Sequence, residues 1–201
     1  MKNKKIMLVI FFVVLVYAAG GIYYAYFKKN PRVIKISNLD TIKGYNYVLK
    51  SNDTSLYKQE FNKLKENLES NDVNDEEYAE SVAKMFIIDL YTLANKINKY
   101  DVGGTSFIHP DYLQNYKLNV QNSIYKYMED NSNKNRTQEL PEVIAVSVGN
   151  KEDTEYKIAD ESYNGYKFNL EWTYNKELGY DTNGEVIVIK QDNVYYVAEK
   201  N

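Results

Sequence analysis

One histidine, His109, and no cysteine occur in the 201 residues. Thiolate nucleophiles, disulfides and thiolate metal sites are therefore excluded, and any histidine-dependent triad has to run through His109. That residue lies between Ile108 and Pro110, just before a predicted helix start. There it is either a general base or a loop and cap residue. Asp89 is the second candidate. It sits among Phe86, Ile87, Ile88, Leu90 and Tyr91. A carboxylate buried there takes a raised pKa unless it is paired. It is either a cavity acid or a structural acceptor for Tyr or Lys side chains. The third candidate is a stripe. Tyr166, Phe168, Trp172 and Tyr174 alternate with Lys167, Asn169, Glu171 and Thr173. Such a stripe is a ligand platform or core packing beneath helices. Asp89 and the four aromatic residues are taken as candidate ligand-binding residues, and no residue is assigned as catalytic.

Two other spacings resemble known chemistry and fail on detail. Asp101-Val102-Gly103-Gly104 lacks the Lys-Ser/Thr of a phosphate-cradling loop and does not follow a predicted strand. It reads as a helix stop. Asp72, Asn74, Glu76 and Glu77 lack the central Gly and closing Glu of a calcium loop and lie at a predicted helix start. Neither a metal nor a cofactor is expected.

Charge narrows the partners. The chain holds 25 basic and 28 acidic residues, but the first 29 residues hold five Lys and no acid. The remainder is thus more acidic than the net charge of −3 suggests. It repels nucleic-acid backbones, which bind through Lys and Arg. The abundance of Lys, Asn, Ile and Tyr points to a bacterium with a low-GC genome. The 14% aromatic content, including 21 Tyr, argues against a disordered chain.

The elements that must position these residues begin with Ile6–Phe27, about 22 residues without charge or Pro, long enough at about 33 Å to cross a bilayer. Lys residues flank it, and Tyr23, Tyr24, Tyr26 and Phe27 crowd its second end. One reading is an uncleaved transmembrane anchor. The other is a signal peptide cleaved near Ala18, which would leave a secreted protein. The apolar run continues past the small residues, which favours the anchor. The expected organisation is an anchor or signal segment over 1–29, a tether over 30–40, and one extracytoplasmic domain over 41–201.

Within that domain Gly44–Leu49 reads as a short strand. A first helix is expected over 55–70, with Tyr57, Phe61, Leu64 and Leu68 on one face. A second is expected over 75–99, capped by Asn74 with Glu77. A third region starts at His109-Pro110-Asp111 and carries apolar contacts to Met128. The period then changes to two. Strands are expected at Val143–Val148, Thr154–Ala159, Tyr166–Tyr174, Val186–Ile189 and Val194–Val197. Asn183-Gly184 and Gln191-Asp192-Asn193 read as turns. Helices in one block and strands in another give an α+β fold. Three helices pack on a curved antiparallel sheet of about four strands, behind an N-terminal transmembrane helix.

This order, with the aromatic face of the sheet, resembles the NTF2-like superfamily over residues 52–201. It is also similar in architecture to the outside domains of transfer-channel proteins, which place such a fold after one membrane helix. Enzymes of the superfamily often use an Asp–His or Asp–Arg pair, and no such pair can be matched here. The sequence therefore reads as a non-enzymatic, membrane-anchored extracytoplasmic protein-interaction module. Its expected partners are the membrane, through Ile6–Phe27, and envelope proteins of a transfer or secretion assembly. The alternative is a binding protein for a small ligand, peptide or wall glycan in a pocket between sheet and helices.

Overall fold

The structure, a computed structural model, describes residues 2–29 and 34–201, with side chains of the first helix described over residues 13–26. The chain divides into two compact units, residues 1–34 with 132–135 and residues 35–131 with 136–201.

In the first unit α1 (Lys2–Lys29) is a continuous helix. Among the described residues, however, no helix is long and apolar enough to cross a membrane. The expected transmembrane helix is corrected on that finding. Gly20, Gly21 and four Tyr residues lower the hydropathy of the stretch Val13–Tyr26, over which its side chains are described. The side chains of residues 6–12 and 27, part of the expected span, lie outside the described residues, as do residues 30–33 of the expected tether.

The second unit begins with a small antiparallel pair, β1 (Asn38–Thr41) and β2 (Val48–Lys50). Part of the expected tether is thus a strand. The turn between them buries Ile42 and Tyr47, while Gly44 takes a positive φ of 88°. α2 (Ser55–Leu68) follows, its first turn capped where Tyr57 N–H donates to Thr54. Tyr57, Phe61 and Leu64 are buried on one face. α3 (Asp75–Tyr91) is capped by Asn74, which accepts from the backbones of Glu76 and Glu77. Three acids in its first turn complement the helix dipole.

α3 is buried on most sides. It stops at Tyr91 rather than continuing to residue 99, because its next backbone donors are taken elsewhere. Leu93 and Ala94 N–H both donate to the Pro141 carbonyl, at 2.9 and 3.1 Å. The Arg136 guanidinium then binds the Lys96 and Ala94 carbonyls at 2.9 and 2.8 Å. A short 3-10 turn at Pro110–Tyr112 leads into α4 (Leu113–Asn122). The expected helical path to Met128 becomes tight turns after Ser123, whose hydroxyl donates back to the Asn119 carbonyl.

Four strands form an antiparallel meander in sequence order: β3 (Val143–Ile158), β4 (Glu161–Tyr174), β5 (Asn183–Gln191) and β6 (Val194–Lys200). β3 joins two expected strands through a register shift between Val148 and Asn150. The charged run Lys151–Asp153 suits an outermost strand, whose free edge must resist pairing with other chains. Asp192 and Asn193 turn the β5–β6 hairpin with positive φ at both positions, as a type I′ turn requires. Asn183-Gly184, an expected turn, lies inside β5.

The sheet curls. β3 and β4 pair as far as Ile158↔Glu161, but β4 pairs with β5 only from Gly165 onward. At Gly165 a Cβ would lie 2.0 Å from the Val188 carbonyl oxygen, so only glycine permits this approach. The hairpin tip beyond it bends over until Tyr156, on the first strand of the meander, donates to Glu199 on the last, at 2.8 Å.

The core lies between α3 and the sheet. Phe168, Leu170, Trp172, Val186 and Val188 meet Val82, Met85 and Phe86 there, all nearly inaccessible to water. The outer edge of β6 is closed by two tyrosines. The Tyr47 hydroxyl donates to the Tyr195 carbonyl at 3.1 Å, and Tyr195 N–H donates to the Tyr78 hydroxyl at 3.3 Å. The two hydroxyls stand 2.9 Å apart. With the Tyr47 proton committed to the carbonyl, Tyr78 donates to Tyr47 and the cycle is complete. Burial, the largest cause, pushes the Tyr78 hydroxyl up to about 12.

Candidate functional site

Asp89 faces inward from the last turns of α3, and each of its oxygens is used. Lys96 Nζ donates to Oδ1 at 2.5 Å, and Gly104 N–H donates to Oδ2 at 2.7 Å. Both side chains are nearly covered, with 5% of Lys96 and 13% of Asp89 exposed. Burial raises the pKa of Asp89, but the Lys96 charge and the hydrogen bonds from Lys96 and Gly104 outweigh it. The carboxyl is held below its ordinary value of 3.8 and stays ionised.

The surrounding groups extend this arrangement. Tyr125 donates to the Leu90 carbonyl at 2.7 Å and accepts from Gly103 N–H at 3.3 Å. Tyr116 donates to the Gly103 carbonyl at 2.7 Å. A Cβ on Gly103 would lie 1.9 Å from the Asp89 carbonyl oxygen, which explains the Gly-Gly pair as a close-packing device. The network ties the Asp101–Gly104 loop to the end of α3. Asp89 lines none of the hollows described below.

The aromatic stripe is placed differently from Asp89 and splits in two. Phe168 and Trp172 point into the core, 0% and 2% exposed. Tyr166 packs on Phe168 and Tyr195, with ring centroids 6.1 Å from each. Trp172 packs on Tyr91 with the rings tilted and their centroids 4.9 Å apart, and donates from Nε1 to the Tyr174 hydroxyl at 2.8 Å. Tyr174 donates on to the Asp181 carbonyl at 2.6 Å, and Tyr91 to the Asp181 carboxylate at 3.0 Å. Lys200 closes the group, 3.1 Å from Asp181 and 5.3 Å above the Tyr91 ring. None of the hydrogen bonds of Asp89 runs to the stripe.

An open feature of the second unit is a trough beside His109, between the start of α4 and the curled hairpin tip. A hollow of about 500 Å³ is lined by Tyr112, Tyr116, Tyr156 and Tyr196 with Asn115 and Asn119. A second, of about 410 Å³, shares His109, Tyr112, Ile158, Ala159 and Gln191 with it and adds Tyr163. A third, of about 260 Å³, continues past Ile108 and Tyr196 toward Tyr47 and Lys117. The floor is firm, because the Tyr116 ring packs on Phe86 and its hydroxyl is bound to Gly103. The hairpin wall is held by the Tyr156–Glu199 bond.

His109 sits at the centre. Its Nδ1 accepts the Asp111 N–H at 3.3 Å and caps the 3-10 turn. A nitrogen that accepts a backbone N–H carries no proton in the neutral ring, so the proton lies on Nε2. The ring stands edge-on to Tyr196 at 5.1 Å and near Tyr112 at 5.9 Å. Tyr156 and Tyr163 spend their hydroxyl protons on Glu199 and Glu161, which raises both hydroxyl pKa values and leaves the ring faces as their contribution. Burial raises Tyr196 as well. The acids nearest His109 at the rim are Asp111, Asp160 and Glu161, all exposed.

His109 and Asp89 have separate partners: Asp111 for the first, Lys96 and Gly104 for the second. Among the described residues no three His, Asp or Glu side chains stand close enough to hold a metal ion. A further hollow between α2 and α3, about 300 Å³, is lined by Lys63, Lys84, Glu60 and Glu80. Those four already pair with each other, as Lys63–Glu60 and Lys84–Glu80.

Sequence reasoning singled out His109 but missed its neighbours. Tyr112, Asn115, Tyr116 and Asn119 recur every three or four residues, a helical face that was legible. Their meeting with Tyr156 and Tyr196 depends on the bend at Gly165, which no local pattern announces. No protein-family model, curated protein or solved structure matches the chain.

Proposed function

We propose that the second unit is a non-enzymatic, extracytoplasmic binding domain of NTF2-like type, with the trough beside His109 as its binding site. One observation carries this reading. The trough is the place where partly exposed aromatic rings converge with amide side chains and an imidazole, in a space large enough for a small ligand. The absence of Cys and the acidic balance of the body accord with it. The superfamily likeness rests on the helical block that precedes a curled antiparallel meander.

The chemistry of the residues supports binding rather than turnover. Asp89, the one buried acid of α3, is committed to Lys96. His109 has the exposed carboxylate of Asp111 3.7 Å from its Nδ1. A photo-crosslinking residue at position 112, with position 127 as an exposed control outside the trough, tests the site in native cells. Adducts formed from 112 and not from 127 support it. Equal or absent adducts at both positions contradict it.

A second reading is docking onto an envelope protein of a transfer or secretion assembly. Exposed Tyr100, Tyr127 and Ile144, outside the trough, favour it. In the same experiment a protein adduct from position 127 supports this reading.

A further inference from the structure

We propose that the trough takes an uncharged oligosaccharide, an inference that rests on the binding-site reading above. Three observations select this class.

The first is the donor and acceptor set. Asn115, Asn119 and Gln191 line the trough as neutral groups beside the His109 ring, and each amide both donates and accepts. Sugar hydroxyls also donate and accept, so a neutral bifunctional lining matches them. The fully charged groups lie at the rim. Asp111, Asp160 and Glu161 stand there with Lys157 and Lys117, so charge of both signs surrounds the neutral lining and no single sign of ligand charge is favoured. Glu161 is already engaged by Tyr163, so the trough holds no free buried acid that would anchor a cationic ligand.

The second is the form of the apolar surface. It is made of ring faces, not of an aliphatic groove. Tyr112 is 46% exposed, and Tyr156, Tyr163 and Tyr196 are partly exposed. The C–H faces of a pyranose are flat and weakly polar, and they stack on such rings. The three adjoining hollows form an elongated path, which suits several sugar rings in line.

The third bears on the competing class, an extended peptide. Peptides that bind beside a sheet commonly add a strand to a free edge. β6 borders the trough, and its outward N–H and C=O at Tyr195 are already taken by Tyr78 and Tyr47. Strand addition to β6 is therefore blocked at Tyr195.

The single histidine provides the readout. The full chain, in a detergent without a sugar headgroup, is titrated with cellohexaose, with the hexamer of N-acetylglucosamine, and with an extended Lys-containing peptide. The unique His109 imidazole resonance is followed by NMR. The expected result is a saturable His109 shift with at least one saccharide and none with the peptide. Tyr112→Ala and Tyr196→Ala each weaken saccharide affinity about tenfold or more, while Tyr127→Ala leaves it unchanged. The fluorescence of Trp172, buried away from the trough, confirms that each variant is folded. A His109 shift with the peptide alone overturns the saccharide and keeps the binding site. Silence with every probe also overturns the saccharide. The binding-site reading itself falls if positions 112 and 127 capture equally, or not at all, in the crosslinking experiment.

Discussion

The surroundings of Asp89 and of His109 contain similar chemical types, and they differ in what is left over. Around Asp89 each carboxylate oxygen has a donor, Lys96 has its anion, and the two nearest tyrosines are spent on backbone groups. Around His109 the ring faces and the amides remain available at an open wall. Both regions border the Gly103-Gly104 loop, since Tyr116 donates to Gly103 and also floors the trough. The contrast teaches that a residue able to do chemistry marks a site only when its bonding capacity is unspent. An acid in an apolar helix is conspicuous in the sequence, yet here it is a fastening.

The sharpest way to break this comparison is to remove the fastening. Asp89→Ala leaves the Lys96 ammonium buried without a partner, a change that costs about 3–5 kcal/mol. Chemical denaturation measures it. A loss below about 1 kcal/mol would show that Lys96 has another outlet and that Asp89 is not structural. The pair also sets a pH dependence. The folded-state pKa lies below the ordinary 3.8, so the stabilisation is fully present above that value. It is lost as the pH falls through the lowered folded-state pKa. The unfolding free energy of the parent protein is therefore expected to fall in acid more steeply than that of Asp89→Asn.

Gly103→Ala comes next. The new methyl group would lie 1.9 Å from the Asp89 carbonyl oxygen, so the loop or α3 must move. Overpacking of this kind costs about 1–3 kcal/mol. Because the Tyr116 hydroxyl is bound to Gly103, the His109 resonance is expected to shift as well, linking the fastening to the trough floor. An unchanged His109 signal in a destabilised variant would show that the two regions are mechanically independent.

Tyr78→Phe has a smaller effect. It removes the acceptor for Tyr195 N–H and breaks the hydroxyl cycle on the β6 edge. The expected cost is about 1–2 kcal/mol, for one buried donor left unpaired. Hydrogen exchange at the Tyr195 amide should accelerate. Protection equal to that of the parent would mean that the edge is closed by something other than this hydroxyl.

What the sequence disclosed follows the range of the interactions concerned. The α2 face of Tyr57, Phe61 and Leu64, the Asn74 cap and the Asp192-Asn193 turn depend on neighbours within a few residues, and each is visible in local spacing. The end of α3 is not, because Pro141 and Arg136 halt it from some 40 residues away. β1 is hidden for the same reason. Asn38–Thr41 has no alternation of its own and forms a strand through β2. The apolar N-terminal run was conspicuous, yet among the described residues no helix is long and apolar enough to cross a membrane. The trough was the least legible feature, since it joins residues 109–119 to residues 156–198 through one kink at Gly165.

The smallest effect tests the other side of the comparison. In Tyr156→Phe the ring stays and the bond to Glu199 is lost. That bond is only part-buried, so its contribution to global stability is about 0.5–1 kcal/mol. The hairpin tip is the part of β3 and β4 with no β5 neighbour, and it depends on this bond to stay curled. Amides near Ile158 and Tyr163 should therefore exchange faster, while those of α3 stay protected. Ligand affinity should fall several-fold, because one wall of the trough must be ordered at the moment of binding. If Tyr156→Phe instead loosened α3, the hairpin tip would belong to the same cooperative core as Asp89. A fastened interior and an open, locally adjustable wall could then no longer be separated.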